Sequence, residues 1–336
     1  MIENILPFNH LYYRICFYNA LFSVLEYYEI SNLYVFANNL PVYAFNKSGY
    51  LSDIQYVSEL NELQLLNNLG LEVNTQCTNL IEDIKNSIDK NCPVIVAVDC
   101  YYLSIRKDLY QKEHWPHTLL VYGYDDERKI ALVFEHPFRD SLEYVKKELQ
   151  FNELEEAYKS YVFGNDHIFG GQSYFSFSRQ KNRIDMSSPK MTYEKNFCTH
   201  REEVMSGIQQ LGAFIDKEKA FFCTREFLDY HSSELLVVIN NIINSKKADA
   251  YLLIEIYGQE DMKYIIVSRI LTLWEKIRVT IVKYLYTKVL VKNKISKMYL
   301  WLRLIYLYEK KFLRCFPSSN NCRRMKTGSN STTIRG

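Results

Sequence analysis

Three residues of this 336-residue chain have the types and settings that suit nucleophilic catalysis: Cys16, His117 and Glu135. Cys16 heads the segment CFYNALFSVLEYYE, in which Phe17, Ala20, Leu21, Val24 and Leu25 share one helical face. A thiol at a helix N-terminus faces the positive end of the macrodipole, which lowers its pKa and favours the nucleophilic thiolate. His117 opens a strand-like run, HTLLVYGY, and is placed to take the thiol proton. Glu135 ends the next run, IALVFE, where a carboxylate would hold the imidazole in one tautomer and orientation. Each residue also has a plainer reading. A lone Cys in an apolar helix is most often core. His117 alone suits a satisfied core histidine, and Glu135 an ordinary strand-end charge. A metal site of His114, His117 and His136 is a further alternative, disfavoured because no matching Cys pair accompanies it. The catalytic reading rests on three complementary roles falling at compatible places.

These residues need a helix and a sheet to bring them together. Residues 117–124 and 130–135 are joined by the polar link Asp125-Asp126-Glu127-Arg128, which predicts an antiparallel hairpin with His117 and Glu135 at its open end. The continuous apolar run PVIVAVDCYYL from Pro93 predicts a buried strand beside it. Helices are expected over 57–69, 79–90 and 152–160, and a last strand over 173–178. Residues 31–56, rich in Asn, Tyr, Pro and Gly, read as loop. From about Asn196 the pattern is helical, over 199–215, 225–245 and 261–313, with an extended piece expected at 247–258. The polar stretch 179–194 is the best boundary. The expected architecture is α+β: a domain over 1–178, a linker over 179–194, a basic helical domain over 195–315 and a disordered tail over 316–336.

Composition narrows the class of protein. Hydrophobic residues make up 48% of the chain, enough for a core without metal staples, and 11 Gly and 7 Pro exclude collagen-like or low-complexity chains. The net charge of +2 conceals a balance of −13 over residues 1–261 and +15 over residues 262–336. The N-terminal MIENILPFNH has neither a basic region nor a long apolar core and does not read as a secretory signal. The best apolar window, Met298–Leu307, contains Arg303 and is too short to span a bilayer. Eight cysteines without a CxxC read as free thiols in a reducing cytoplasm.

Four stretches, RICFYNAL, CPVIVAVDCYYL, HWPHTLLVYGYDDE and FEHPF, resemble the butirosin biosynthesis protein H N-terminal family, a papain-like group related to the C39 peptidases. The resemblance covers roughly residues 8–178. It implies a papain-like cysteine-hydrolase fold, with the nucleophile helix packed on an antiparallel sheet, and acyl transfer in natural-product biosynthesis. On that reading Cys16 takes an acyl group from the phosphopantetheine thioester of an acyl carrier protein and passes it to an amine. His117 is the general base, and Glu135 occupies the orienting position, where related proteins often have Asp. Papain-like hydrolases usually carry a Gln upstream of the nucleophile as an oxyanion donor. The segment FNHLYYRI has none, and Asn9 is the candidate, with the Cys16 backbone N–H as a second donor. Asp99, Tyr101 and Tyr102 follow the family pattern with no role assigned. No metal or organic cofactor is implied beyond the donor's phosphopantetheine arm.

The basic helices 262–313 suit an acidic acyl carrier protein, the solvated face of packing helices or, as a third option, an anionic membrane surface. No zinc-finger, glycine-rich or RNP-like motif accompanies the charge, so nucleic acid is not favoured. Two rival functions stand beside acyl transfer: a C39-like cysteine peptidase or amidase, and a non-catalytic binding protein that kept the fold.

Overall fold

The computed structural model describes residues 1–317 apart from 140, 142, 165–170, 181–185, 218–224 and 290–291. The tail expected over 316–336 therefore lies almost wholly outside the described residues. The elements in chain order begin with α1 (Cys16–Tyr27), α2 (Leu33–Asn38), β1 (Asn39–Phe45), β2 (Leu51–Ser58), α3 (Glu62–Asn68), β3 (Leu71–Asn74) and α4 (Leu80–Ile88). They continue with β4 (Val94–Asp99), a 3-10 turn (Cys100–Tyr102), β5 (Pro116–Asp125), β6 (Ile130–Glu135), β7 (Val145–Gln150), α5 (Phe151–Phe163) and β8 (Tyr174–Arg179). Five helices close the chain: α6 (Pro189–Thr199), α7 (Arg201–Lys217), α8 (Arg225–Tyr257), α9 (Met262–Thr287) and α10 (Lys292–Arg314). The fold is α+β, with antiparallel sheets and a largely helical C-terminal part.

The chain forms two compact units, and the first comprises residues 1–32 and 61–186. Its sheet has six strands in the order β3-β8-β4-β5-β6-β7, each antiparallel to its neighbours. β4 is buried at every position, as its β-branched sequence VIVAVD requires of a central strand. Pro116 stands at the first position of β5, where a missing N–H costs no ladder bond. The β5–β6 hairpin is set by its turn: Asp125 Oδ1 accepts from the N–H groups of Glu127 and Arg128, both at 3.0 Å. Lys129 adopts a left-handed conformation, φ 54°, to re-enter β6. α1 packs on β4 and β5. The chain ahead of α1 is stapled to it, because Phe8 N–H donates to Ser23 Oγ at 2.9 Å and Asn19 Nδ2 donates to the Phe8 carbonyl at 3.3 Å.

The second unit comprises residues 33–60 and the chain from Ser187 onward. It pairs the β1–β2 hairpin with α2 and the helices α6–α10. Buried among them lies an ionic cluster. Lys246 Nζ is 3.0 Å from Glu309 Oε1 and 3.5 Å from Asp249 Oδ2, and the Tyr43 hydroxyl donates to Glu309 at 2.6 Å. One cation faces two carboxylates there. Burial and the neighbouring Glu309 charge, only partly offset by Lys246, raise the Asp249 carboxyl to about 6. A carboxyl raised on folding adds stability below its unfolded value and loses it as pH rises through its folded value. Asp249 is therefore expected to cost roughly 2–3 kcal/mol above pH 6. Asp249→Asn should hold its urea midpoint constant between about pH 5 and 8 while the parent's midpoint falls. A parallel decline in both proteins would assign the pH dependence elsewhere.

Several expectations change. Residues 31–56 are not loop: they form α2, β1 and most of β2, and their apolar positions Leu40, Tyr43, Leu51 and Ile54 are buried in the second unit. The strands are short and Asn-flanked, so their alternation is faint. The helix expected over 57–69 shrinks to α3, started by a capping box in which Asn61 and Gln64 exchange bonds. The 247–258 segment is the last third of α8, where neighbouring helices override its β-branched and aromatic content. β7 was not foreseen, because VKKELQ reads as polar surface. The compact units also do not follow a single cut between 178 and 195, since residues 33–60 join the second unit. Cys198 is disulfide-bonded, which corrects the expectation that every thiol is free. Among the described residues no helix is long and apolar enough to cross a membrane.

Candidate active site

The first unit brings Cys16, His117 and Glu135 together. Cys16 is the first residue of α1, after an N-terminal cap residue, Ile15, whose side chain makes no capping bond. The Tyr18 N–H of this first turn is taken by the Ile15 carbonyl at 3.1 Å, and the macrodipole favours negative charge at the thiol. The turn into the helix is held from outside. Arg14 is left-handed, φ 53°, and its Nη1 donates to Glu62 Oε1 at 3.0 Å. Tyr18 donates its hydroxyl to the same oxygen at 2.6 Å.

His117 and Thr118 are the groups that act on the buried Cys16 thiol. Burial works against a thiolate here, but His117 and then Thr118 outweigh it and hold the thiol below its ordinary value. His117 responds in kind: burial opposes its charge, yet Cys16 and Glu135 together raise the imidazole to about 10. Each member of the pair thus favours the charged form of the other, thiolate beside imidazolium. The other free cysteines among the described residues, Cys77, Cys92, Cys100 and Cys315, are all raised, burial being the first cause in each.

Glu135 is fully buried, and its Oε1 lies 2.8 Å from His117 Nε2. The imidazole N–H is not aligned on that oxygen, so the contact acts through charge rather than as a straight hydrogen bond. With Nε2 facing Glu135, Nδ1 is the nitrogen left for the thiol. Glu135 Oε1 also accepts from the His136 backbone N–H at 2.7 Å and from Arg106 Nη1 at 3.2 Å. Burial alone would raise this carboxyl, but His117 and then Arg106 keep it below the usual range.

Arg106 is the residue that sequence reasoning missed. Only 1% exposed, it forks onto Asp108 through Nε and Nη2, each at 3.1 Å, and presents Nη1 to Glu135. Asp108 in turn accepts from the Arg139 backbone N–H at 2.7 Å. In sequence Arg106 sits in a polar loop, LSIRKDLYQKEHW, and reads as a surface charge; only its i, i+2 spacing to Asp108 hints at a local fork. Thr118, the chain neighbour of His117, was also missed, and His136 was weighed only as a metal ligand. The His136 ring packs edge-on to His117 with centroids 5.7 Å apart, and its Nδ1 faces the Glu143 carbonyl at 3.1 Å. Burial first, then the His117 charge, lower it to about 4, so it is neutral at pH 7.

Asn9 exchanges both amide groups with the Tyr144 backbone, accepting from its N–H at 2.7 Å and donating to its carbonyl at 3.2 Å. The Cys16 N–H needs no side chain to be available, as it belongs to the open first turn of α1. His114 lies apart from His117: its Nδ1 contacts Asp99 at 2.6 Å and its ring stacks on Tyr101. Asp99 also accepts from Ser160 and from the Tyr101 and Trp115 backbones, so it shapes the loop leading into β5. Among the described residues no group of three or more His, Cys, Asp or Glu could hold a metal.

Residues 34–136 match the family described as butirosin biosynthesis protein H, N-terminal. The matched span contains Arg106, His117, Thr118 and Glu135 and begins downstream of Cys16. No curated protein matches the chain.

Proposed function

We propose that this protein is a cysteine-dependent acyltransferase of natural-product biosynthesis, carrying an acyl group from a carrier-protein thioester to an amine through a thioester on Cys16. One observation carries the reading: of the free cysteines described, Cys16 alone has a lowered pKa, held down against burial by His117 and then Thr118, and that histidine is itself 2.8 Å from the buried Glu135. The family match supplies the biosynthetic setting. The order of a nucleophile at the head of α1, a base on β5 and an acid on antiparallel β6 supports a papain-like arrangement.

The steps follow from these groups. The Cys16 thiolate attacks the carbonyl of the donor thioester, and the oxygen gains charge in front of the Cys16 N–H. Collapse breaks the carbonyl–sulfur bond of the donor, and the departing pantetheine thiolate takes the proton from His117. The incoming amine then attacks the Cys16 thioester while neutral His117 accepts its proton. The C–S bond breaks, the amide leaves, and the thiolate–imidazolium pair is restored. Glu135 steadies the imidazolium when His117 is charged. Arg106 keeps Glu135 ionised when His117 is neutral. The deep burial of the pair favours amine over water in the second step by keeping solvent out. The basic helices α9 and α10 are the proposed docking surface for the acidic carrier protein.

The test is intact-protein mass after incubation with acyl-pantetheine thioesters, on the parent and Cys16→Ala in parallel. A single acyl adduct mapped to the peptide containing Cys16, and absent from the variant, is expected. Cleavage of peptide substrates without any thioester donor would favour a peptidase instead. No adduct, with iodoacetamide labelling Cys16 no faster than Cys77 or Cys92, would leave a non-catalytic protein.

A further inference from the structure

A groove of about 390 Å³ opens in the first unit beside the head of α1, within the usual range of ligand pockets, about 300–1,000 Å³. The residues on both sides of the nucleophile in the chain, Ile15 and Phe17, line it, with Leu63 and Leu66 of α3 and Phe175 of β8. The Phe17 and Phe175 rings meet at 5.0 Å, giving the groove an aromatic floor. Its polar wall is Arg14, Tyr18 and Glu62, which turn toward each other: both donors reach Glu62 Oε1. Asn61 likewise spends its side-chain oxygen on the Gln64 N–H of the capping box. The groove thus offers apolar surface beside the residues that flank the nucleophile in the chain, its charged liners Arg14 and Glu62 are paired with each other, and Gln172 adds a neutral amide.

Three parts of the reactants need a place near Cys16: the pantetheine arm, the amine and the acyl chain. The arm carries two amides and needs donors and acceptors along its length. The amine needs a base, which His117 provides. A mainly apolar groove whose charged liners are paired with each other suits the acyl chain. We propose that this groove is the acyl-chain subsite, with Leu63 at its rim and Phe175 at its floor setting the length of chain accepted. The inference rests on the acyltransferase reading and names its substrate class: carrier thioesters of acyl groups with an apolar stem.

Leu63 and Phe175 give opposite handles. Leu63 is 49% exposed, so Leu63→Trp adds bulk at the rim without disturbing the core. Phe175→Leu removes ring atoms from the floor. The experiment is the rate of Cys16 acylation by a series of straight-chain acyl-pantetheine thioesters, from acetyl to decanoyl. Iodoacetamide alkylation, which is too small to need the groove, reads out the nucleophile in each variant. A change of one methylene in an apolar pocket is worth about tenfold or more in rate. Leu63→Trp is therefore expected to slow the longest accepted donors by about tenfold and to spare acetyl, and Phe175→Leu to shift the optimum to longer chains. A parent that is acylated, with both variants following its length profile, would overturn the groove assignment and leave the acyltransferase reading standing. A parent that no donor acylates would overturn that reading, and the subsite with it.

Discussion

Replacing His117 by Asn is expected to slow acyl transfer onto Cys16 by about 10²–10⁴-fold, the usual contribution of a positioned base. The reason lies in the balance at the thiol. Cys16 is 8% exposed, and burial opposes its charged form. His117 supplies the positive charge that first reverses this, while Thr118 is uncharged and contributes less. Asparagine retains a polar side chain of similar reach but cannot carry the charge. The pH profile of iodoacetamide alkylation then separates a lost ion pair from general damage. In the parent the thiolate is lost only as pH falls through a depressed value, so alkylation should persist below the range of an ordinary thiol, about 8.5. In His117→Asn the rate should instead fall roughly tenfold per pH unit below that range. A variant with the parent's profile would show that the helix N-terminus and Thr118 suffice, and the base role would be withdrawn.

Arg106→Met should unfold the first unit more easily by about 3–5 kcal/mol, the usual cost of removing one partner of a buried ion pair. Arg106 and Glu135 are 1% and 0% exposed, so water cannot replace the lost cation. Burial would then weigh more heavily on Glu135, with His117 its remaining charge partner, and its hold on the His117 ring would weaken. Glu135→Gln in the same chain removes the stranded charge and is expected to restore much of the stability, as measured by urea denaturation at pH 7. It should not restore acylation of Cys16, since a neutral amide cannot support an imidazolium. Recovery of stability without recovery of reactivity is the signature of an ion pair that serves the site. If Arg106→Met costs little, Asp108 rather than Glu135 is what that guanidinium chiefly serves.

Local sequence signals located three of the site's parts, each for a physical reason. The apolar face of residues 17–25 writes a helix, and Cys16 falls at its head because the segment before it, FNHLYYRI, breaks that period. The polar link after Asp125 writes a hairpin, and a hairpin forces residues at its open end to be neighbours, which is why His117 and Glu135 could be paired before any coordinates. The continuous run from Val94 writes the buried strand beside them. Such signals depend on the spacing of residues within one element, and one chain suffices to read them.

Tertiary structure decided what depends on contacts between elements. The allocation of residues 33–60 to the second unit is one case, since nothing in a short hairpin states which core its apolar side will join. The commitment of Asn9 to the Tyr144 backbone is another, because residues far apart in the chain carry no mark of their pairing. Arg106 is the most consequential. Its loop has no period, and a charged side chain is normally left in water. Only the folded chain carries its guanidinium past Cys100 to the buried Glu135, with Asp108 sharing its charge, and so makes an apparent surface charge part of the site.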